Sequence, residues 1–275
     1  VKDIHSRLTI QYGATFTDVS DSLSDFAVDN ATITLLNTDS LWVGFEKPIS
    51  SLFFYLTTPS TSARKVTVSM FNANINAWDV VQSSDDTAGF TRSGFLSWIL
   101  PDQISLASVN TVSQYWVKIN VDTSTTAMVV RAVSALFSDD RELKKEFPSI
   151  LNSNFLLGGT TDHYLIHETC RNDIVQYFRK KGLRRLGADA IRKKFMAFDI
   201  MDIDEVRTAA TYLALSKIFS NVANSANEED NWLAKSRKYK KMSDEALNTA
   251  YLTWDHSSDG AKNEQDQIAN ITLHR

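Results

Sequence analysis

The sequence predicts an α+β chain of two modules. The first is an N-terminal antiparallel β-sandwich of jelly-roll kind. The second is a C-terminal α-helical bundle with an extended C-terminal arm. Three observations predict this. Apolar residues recur at period two before Ser138 and at helical spacing after it. Short strand candidates separated by turn residues fill the first half, as in sandwich folds. Charge is also uneven. Residues 1–138 hold 8 Lys/Arg and 12 Asp/Glu, whereas residues 139–275 hold 21 of each, a density that suits solvated helix faces. The expected boundaries are an extended arm over 1–25, a β-sandwich domain over 26–138, a linker over 139–154, a helical domain over 155–255 and a C-terminal arm over 256–275.

The elements follow in order. Residues 1–25 are polar and read as an extended or loosely packed arm. Strands are then expected over 31–36, 41–45, 51–56, 65–71, 77–81, 95–100, 114–121 and 128–137. Lys65–Phe71 alternates cleanly, as a half-buried strand does. Asn72–Asn76 reads as a turn, and Pro101 closes a strand. Asp139–Phe147 reads as a polar helix stopped by Pro148. Thr161 or Asp162 caps a helix to about Lys181, with Ile166, Cys170, Ile174, Tyr177 and Phe178 as its stripe and Gly182 as its stop. A short helix is expected over 188–198. Asp202 or Asp204 caps the next, running to about Asn221 and apolar nearly all round, which predicts burial against several neighbours, other subunits among them. Asn227 caps a last long helix from Glu228 to about Trp254.

Bulk properties exclude several classes. A chain of 275 residues, 43% hydrophobic and 23% charged, is globular. A net charge of −4 gives no wholesale nucleic-acid affinity. Cys170 is the only cysteine, so no intrachain disulfide forms, which fits a reducing compartment. No apolar run reaches the roughly 18 residues that span a bilayer. The N-terminus, Val1 onwards, shows no secretory leader.

Four constellations carry residue types suited to chemistry. His163, His167 and Cys170 share one helical face at metal-ligand spacing, but Arg171 stands where a zinc-protease helix needs its second His. A metal-dependent hydrolase using His163, His167 and Glu168 is the weakest reading. Asp255-x-Ser257-x-Asp259-Gly260-x-x-Asn263-x-x-Asp266 has the spacing of a calcium loop, with Lys262 and a final Asp against it. A basic run, Arg179, Lys180, Lys181, Arg184 and Arg185, continues through Arg192–Lys194, and a second lies over Lys235–Lys241. Such clusters meet phosphates or acidic protein surfaces. Lastly, Trp42, Phe54, Tyr55, Trp78, Phe95, Trp98, Tyr115 and Trp116 form either a sandwich core or, where exposed, a sugar platform. No nucleophile elbow, phosphate loop or dinucleotide fingerprint is present, so the chain reads as non-enzymatic, without metal or cofactor.

The stretch Asp202–Leu215 followed by Trp232–Tyr239 resembles head-to-tail adaptor (connector, neck) proteins of tailed bacteriophages. That resemblance implies a structural virion protein. It would form a homo-oligomeric ring, typically of twelve subunits, joining portal to tail and sealing the DNA channel. The implied partners are the portal and the tail or neck proteins, with non-specific contact to packaged DNA and no membrane. The implied location is the virion neck, after assembly in the host cytoplasm. The expected assembly residues are Arg179, Lys180, Lys181, Arg184, Arg185, Ile268, Ile271 and Leu273. The alternative is a jelly-roll carbohydrate-binding module, or another virion or cell-surface binding module.

Overall fold

The computed structural model describes residues 7–12, 14–20, 23, 31–101, 103–156, 158, 160–186, 192–225, 229–254 and 267–268. The chain is α+β, with sheets in its N-terminal part and helices in its C-terminal part. It divides into two compact units between Ala135 and Leu136.

The first unit holds two antiparallel sheets. One has the order β2-β1-β4-β11-β6-β7, with β10 pairing β11. Its strands are β1 (Arg7–Tyr12), β2 (Thr15–Asp18), β4 (Ser40–Phe45), β6 (Val66–Asn72), β7 (Ala77–Val80), β10 (Ala107–Val109) and β11 (Val112–Val121). The other has the order β3-β12-β5-β9-β8, from β3 (Ala31–Ile33), β5 (Ser51–Thr58), β8 (Ser83–Asp85), β9 (Gly94–Trp98) and β12 (Met128–Ser134). Each of the eight strands expected after residue 30 has its counterpart here. β1, β2, β8 and β10 were not expected. β8 is Ser-Ser-Asp and β10 spans three residues, too polar or too short to alternate. Within the segment expected as an arm, β1 and β2 form a hairpin on the edge of β4.

Apolar alternation sets which residues are interior. Ile10, Leu41, Val43, Val117, Ile119, Val68 and Met70 share one sheet face by register and are buried. In the second sheet Leu52, Phe54, Phe95 and Leu96 are buried, and the Trp98 indole N–H donates to Ile49 O at 2.7 Å.

The second unit is built on four helices: α1 (Asp140–Glu146), α2 (Tyr164–Lys180), α3 (Asp204–Ser225) and α4 (Glu229–Thr249). α3 and α4 form the main helical pair. Small residues let them approach closely. Ser236 Oγ donates to Ser216 O at 2.8 Å, and Ser243 Oγ donates to Ala209 O at 2.9 Å. α3 also packs on α1, α2 and β15 (Leu252–Thr253). Its nearly all-round apolar surface is therefore matched by neighbours from its own chain.

Two local expectations are corrected. The region expected as a helix over 188–198 contains β14 (Arg192–Lys194), which pairs with β13 (Arg184–Leu186), and a short 3-10 turn at Ala197–Asp199. Leu183 and Phe195 anchor the base of this hairpin as buried residues, a non-local contact that periodicity does not encode. The last helix ends at Thr249, not Trp254. There Thr253 N and Oγ1 donate to the Glu205 carboxylate at 2.6 and 2.7 Å, and Trp254 bridges Ile200. These tertiary hydrogen bonds outcompete another helical turn. Among the described residues no helix is long and apolar enough to cross a membrane.

Candidate binding face and basic hairpin

Opposed residues of an antiparallel ladder share a face. By register, Trp42 stands opposite Lys118, Lys118 opposite Ser69, and Ser69 opposite Val80. One row further on, Trp116 stands opposite Gly44, and Phe71 opposite Trp78. These residues occupy the face of the β4-β11-β6-β7 sheet that looks away from Leu41 and Val117. Trp42 and Trp116 are buried there with Ala107 and Val109, while Phe16, Phe71, Trp78 and Val112 pack against them half-buried.

The geometry of the cluster is specific. The Trp42 and Trp78 rings meet edge-on at 4.7 Å, and Phe71 and Trp78 meet at 5.5 Å. Such edge contacts match a ring's positive rim to its neighbour's negative face. The Trp42 indole N–H donates to Gln11 Oε1 at 2.9 Å, and the Trp116 indole N–H donates to Val112 O at 3.1 Å. Lys118 Nζ lies 5.3 Å from the Trp42 ring centroid, a cation over an aromatic face. Gly44 makes room for the arrangement: a Cβ there would stand 2.9 Å from the Trp116 ring. Trp78 lies on β7, the last strand of the sheet, and the next residue on its face, Val80, is 65% exposed. The result is an apolar step with a half-buried indole at its rim.

Of the eight aromatics singled out in the sequence, Trp42, Phe54, Phe95, Trp98 and Trp116 are buried, whereas Tyr55, Trp78 and Tyr115 are half-buried. Phe16, Gln11 and Lys118 were missed. The period-two spacing of Trp116 and Lys118 was the available signal for Lys118. Phe16 and Gln11 lie in the segment read as an arm.

The metal candidates dissolve into a hydrogen-bond network. His167 Nε2 is 3.1 Å from Asp140 Oδ1, and its Nδ1 is 2.9 Å from Ser138 Oγ. His163 Nε2 is 3.0 Å from Ile150 O, and His163 N donates to Asp140 Oδ2 at 3.3 Å. Burial pushes the Asp140 carboxyl up, but the His167 hydrogen bond and the charges of His167 and His163 outweigh it and hold it below the usual range. Burial pushes the Cys170 thiol up to about 12. Ser138, His167 and Asp140 touch in the manner of a hydrolytic triad, yet Ser138 is 2% exposed and presents no open nucleophile. Among the described residues no group of three His, Cys, Asp or Glu side chains is placed to hold a metal. The calcium-like loop, Asp255 to Asp266, lies outside the described residues.

The basic residues gather at one end of α2. Gly182 (φ +90°) closes the helix: Gly182 N donates to Arg179 O at 3.1 Å, and Leu183 N donates to Phe178 O at 3.1 Å. Arg179 Nε donates to Phe195 O at 2.6 Å, and Lys181 Nζ lies 5.2 Å from the Tyr177 ring. Lys180 and Arg184 are exposed. Arg185 sits on β13, opposite Lys193. Ile268 pairs with Leu252 of this same chain, through β16 (Gln267–Ile268). Ile271 and Leu273 lie outside the described residues.

The second basic run lies on α4. Lys235 Nζ sits 4.2 Å from the Trp232 ring, near Phe147 and Phe219, and Lys241 pairs with Glu245 at 3.7 Å.

No family model matches the chain, and no curated protein matches it. Among solved structures, the chain is similar to the structure of CBM32-1 from a family 31 glycoside hydrolase of Clostridium perfringens. The identity is 12%, the match covers 48% of this chain and 95% of that one, and the TM-score is 0.29. The phage reading is corrected: no connector family model and no curated connector protein matches the chain, and nothing found supports a viral, portal or neck assignment. The residues behind that resemblance have a local explanation. Phe219 stacks on Trp232 at 5.5 Å and on Tyr239 at 5.6 Å, and Tyr212 lies 5.9 Å from Tyr239. They pack α3 against α4, as any aromatic-rich helical pair requires.

Proposed function

We propose that the N-terminal unit is a non-catalytic carbohydrate-binding module. In this reading the two sheets, from β1 to β12, form a β-sandwich of jelly-roll kind. The observation that carries the reading is the half-buried Trp78 on the step formed with Trp42 and Phe71. A pyranose ring has an apolar C–H face that stacks on an indole. Its hydroxyls need polar groups at the margin of the stack. Gln11 and Lys118 stand on the same sheet face as Trp42 and supply them.

Affinity electrophoresis of the whole chain through gels containing soluble neutral polysaccharides tests this. The protein should be retarded by at least one of them. Trp78→Ala should migrate as in a plain gel, while Leu165→Ala, an exposed change in the helical unit, should remain retarded. Equal retardation of the Trp78→Ala protein, or none of the wild type across the panel, overturns the reading.

A further inference from the structure

Lys118 stands at a border on the sheet face that carries the aromatic step. Along β11 its neighbours on that face are Trp116 on one side and Asn120 on the other. Trp116 belongs to the apolar cluster with Trp42, Phe71 and Trp78. Asn120 stands opposite Thr67, and its Nδ2 donates to Ser40 Oγ at 2.9 Å, so that half of the face is polar.

Charge on this face is lopsided. Among the described side chains, Lys118 is its one cation and Asp18 its one acid. Asp18 stands opposite Thr9, with β1 and β4 between it and Lys118. Three ladder spacings put the two backbones roughly 14 Å apart, too far for an ion pair. Among the described residues no carboxylate pairs with Lys118. Its half-buried ammonium lies over the Trp42 ring instead, at 5.3 Å from the centroid. An indole face orients an ammonium but replaces only part of its hydration, and three N–H donors remain to be used.

We propose that this face selects pyranoses that carry a carboxylate, the hexuronates. Trp78 stacks on the sugar, and Lys118 donates to the carboxylate. The proposal rests on the sugar reading above and adds the class of ligand. The spacing supports it: the Trp42 ring is 4.7 Å from the Trp78 ring and 5.3 Å from the Lys118 ammonium, so the cation stands beside the stack. A carboxylate bonded directly to a ring carbon stays beside the C–H face. A sulfate ester stands off on a further oxygen and carries its charge away from the stack.

Isothermal titration calorimetry of the full chain with matched oligosaccharides tests it. The probes are hexamers of galacturonate, glucuronate and mannuronate, each paired with its carboxyl-reduced form, the same ring without the charge. For at least one pair the acid should bind about tenfold tighter than its neutral form. The reason is that a charge-assisted hydrogen bond is roughly twice as strong as a neutral one. Lys118→Gln should bring that ratio to within about twofold of one, and Lys118→Arg, which keeps the charge, should preserve it. Trp78→Ala should lose both members, and Leu165→Ala should keep both. Equal affinities within every pair overturn the carboxylate proposal and leave the sugar reading standing. Binding of neither member by the wild type overturns the two together. A preference that persists in Lys118→Gln overturns the role of Lys118, and a sulfated hexamer that binds tighter than the best uronate overturns the choice of carboxylate. Circular dichroism checks each variant. If Lys118→Gln unfolds, Lys118→Met keeps an apolar stem against Trp42 and carries the same expectation.

Discussion

Asp140 Oδ1 lies 3.1 Å from His167 Nε2, and this contact joins the first turns of α1 and α2. Ser138 completes the chain of bonds on the other side of the imidazole. Both partners have helix-starting positions. The carboxylate therefore serves two ends at once: the α1 start, next to the Asp139 cap, and the backbone N–H of His163.

Asp140→Asn should lower stability by about 2 kcal/mol at pH 5, the scale of a hydrogen bond to a charged group. The native carboxyl is held below its ordinary value. Its contribution is therefore present above the usual carboxylate range, about 3.9, and is lost as pH falls through the lower native value. Urea unfolding at pH 5 and pH 2.5 measures the gap between wild type and variant. The gap should shrink at the lower pH, and a constant gap would falsify this account.

Gly89 has φ +69°, and a Cβ there would stand 2.0 Å from Arg64 N. Backbone atoms cannot yield as a flexible side chain does. Gly89→Ala should therefore cost more than the roughly 1 kcal/mol of a glycine replaced elsewhere. Thermal melting should drop clearly. Gly158→Ala, with no atom within 4 Å of its Cβ, gives the reference.

Phe219 is fully buried and meets Phe147, Phe155, Trp232 and Tyr239. Phe219→Ala should cost about 3–5 kcal/mol through lost contacts and a cavity. Far-ultraviolet circular dichroism during denaturation reads the helical unit directly. A midpoint within error of wild type would show that neighbouring rings collapse into the space.

Cys170 is fully buried with its thiol pushed up to about 12. At pH 8 almost none is thiolate, the reactive form. The native protein should give almost no colour with Ellman's reagent, and one thiol per chain should appear in guanidinium. Rapid labelling of folded protein would mean that α2 opens readily.

How much was legible in the sequence depends on the element. β6 and β11 were readable because alternating residues must sort between two faces, and Val66, Val68 and Met70 do so without outside help. The α2 stop at Gly182 was readable because its positive φ is a local need that glycine meets. The β13–β14 hairpin was not, since Leu183 and Phe195 are anchored by α2 and not by their own neighbours in sequence. The connector resemblance failed for a related reason. Tyr212, Trp232 and Tyr239 satisfy a helix-pair pattern that many chains share, and pattern alone does not say what else the pair touches.

The sequence by itself determined the division into strand and helix, because hydrophobic period is a property of neighbouring residues. It also excluded a disulfide within these 275 residues, which hold one cysteine. Only the tertiary structure decided which aromatics are rim and which are core. Trp42 and Trp78 look alike in the sequence, but Trp42 lies on β4 inside the sheet and Trp78 on β7 at its edge. Only the tertiary structure, again, set Arg184 opposite Lys194 and gave His167 two partners far from it in the chain. Such contacts are fixed by strand order and helix packing. Those depend on the whole set of buried surfaces together, so no single segment carries them.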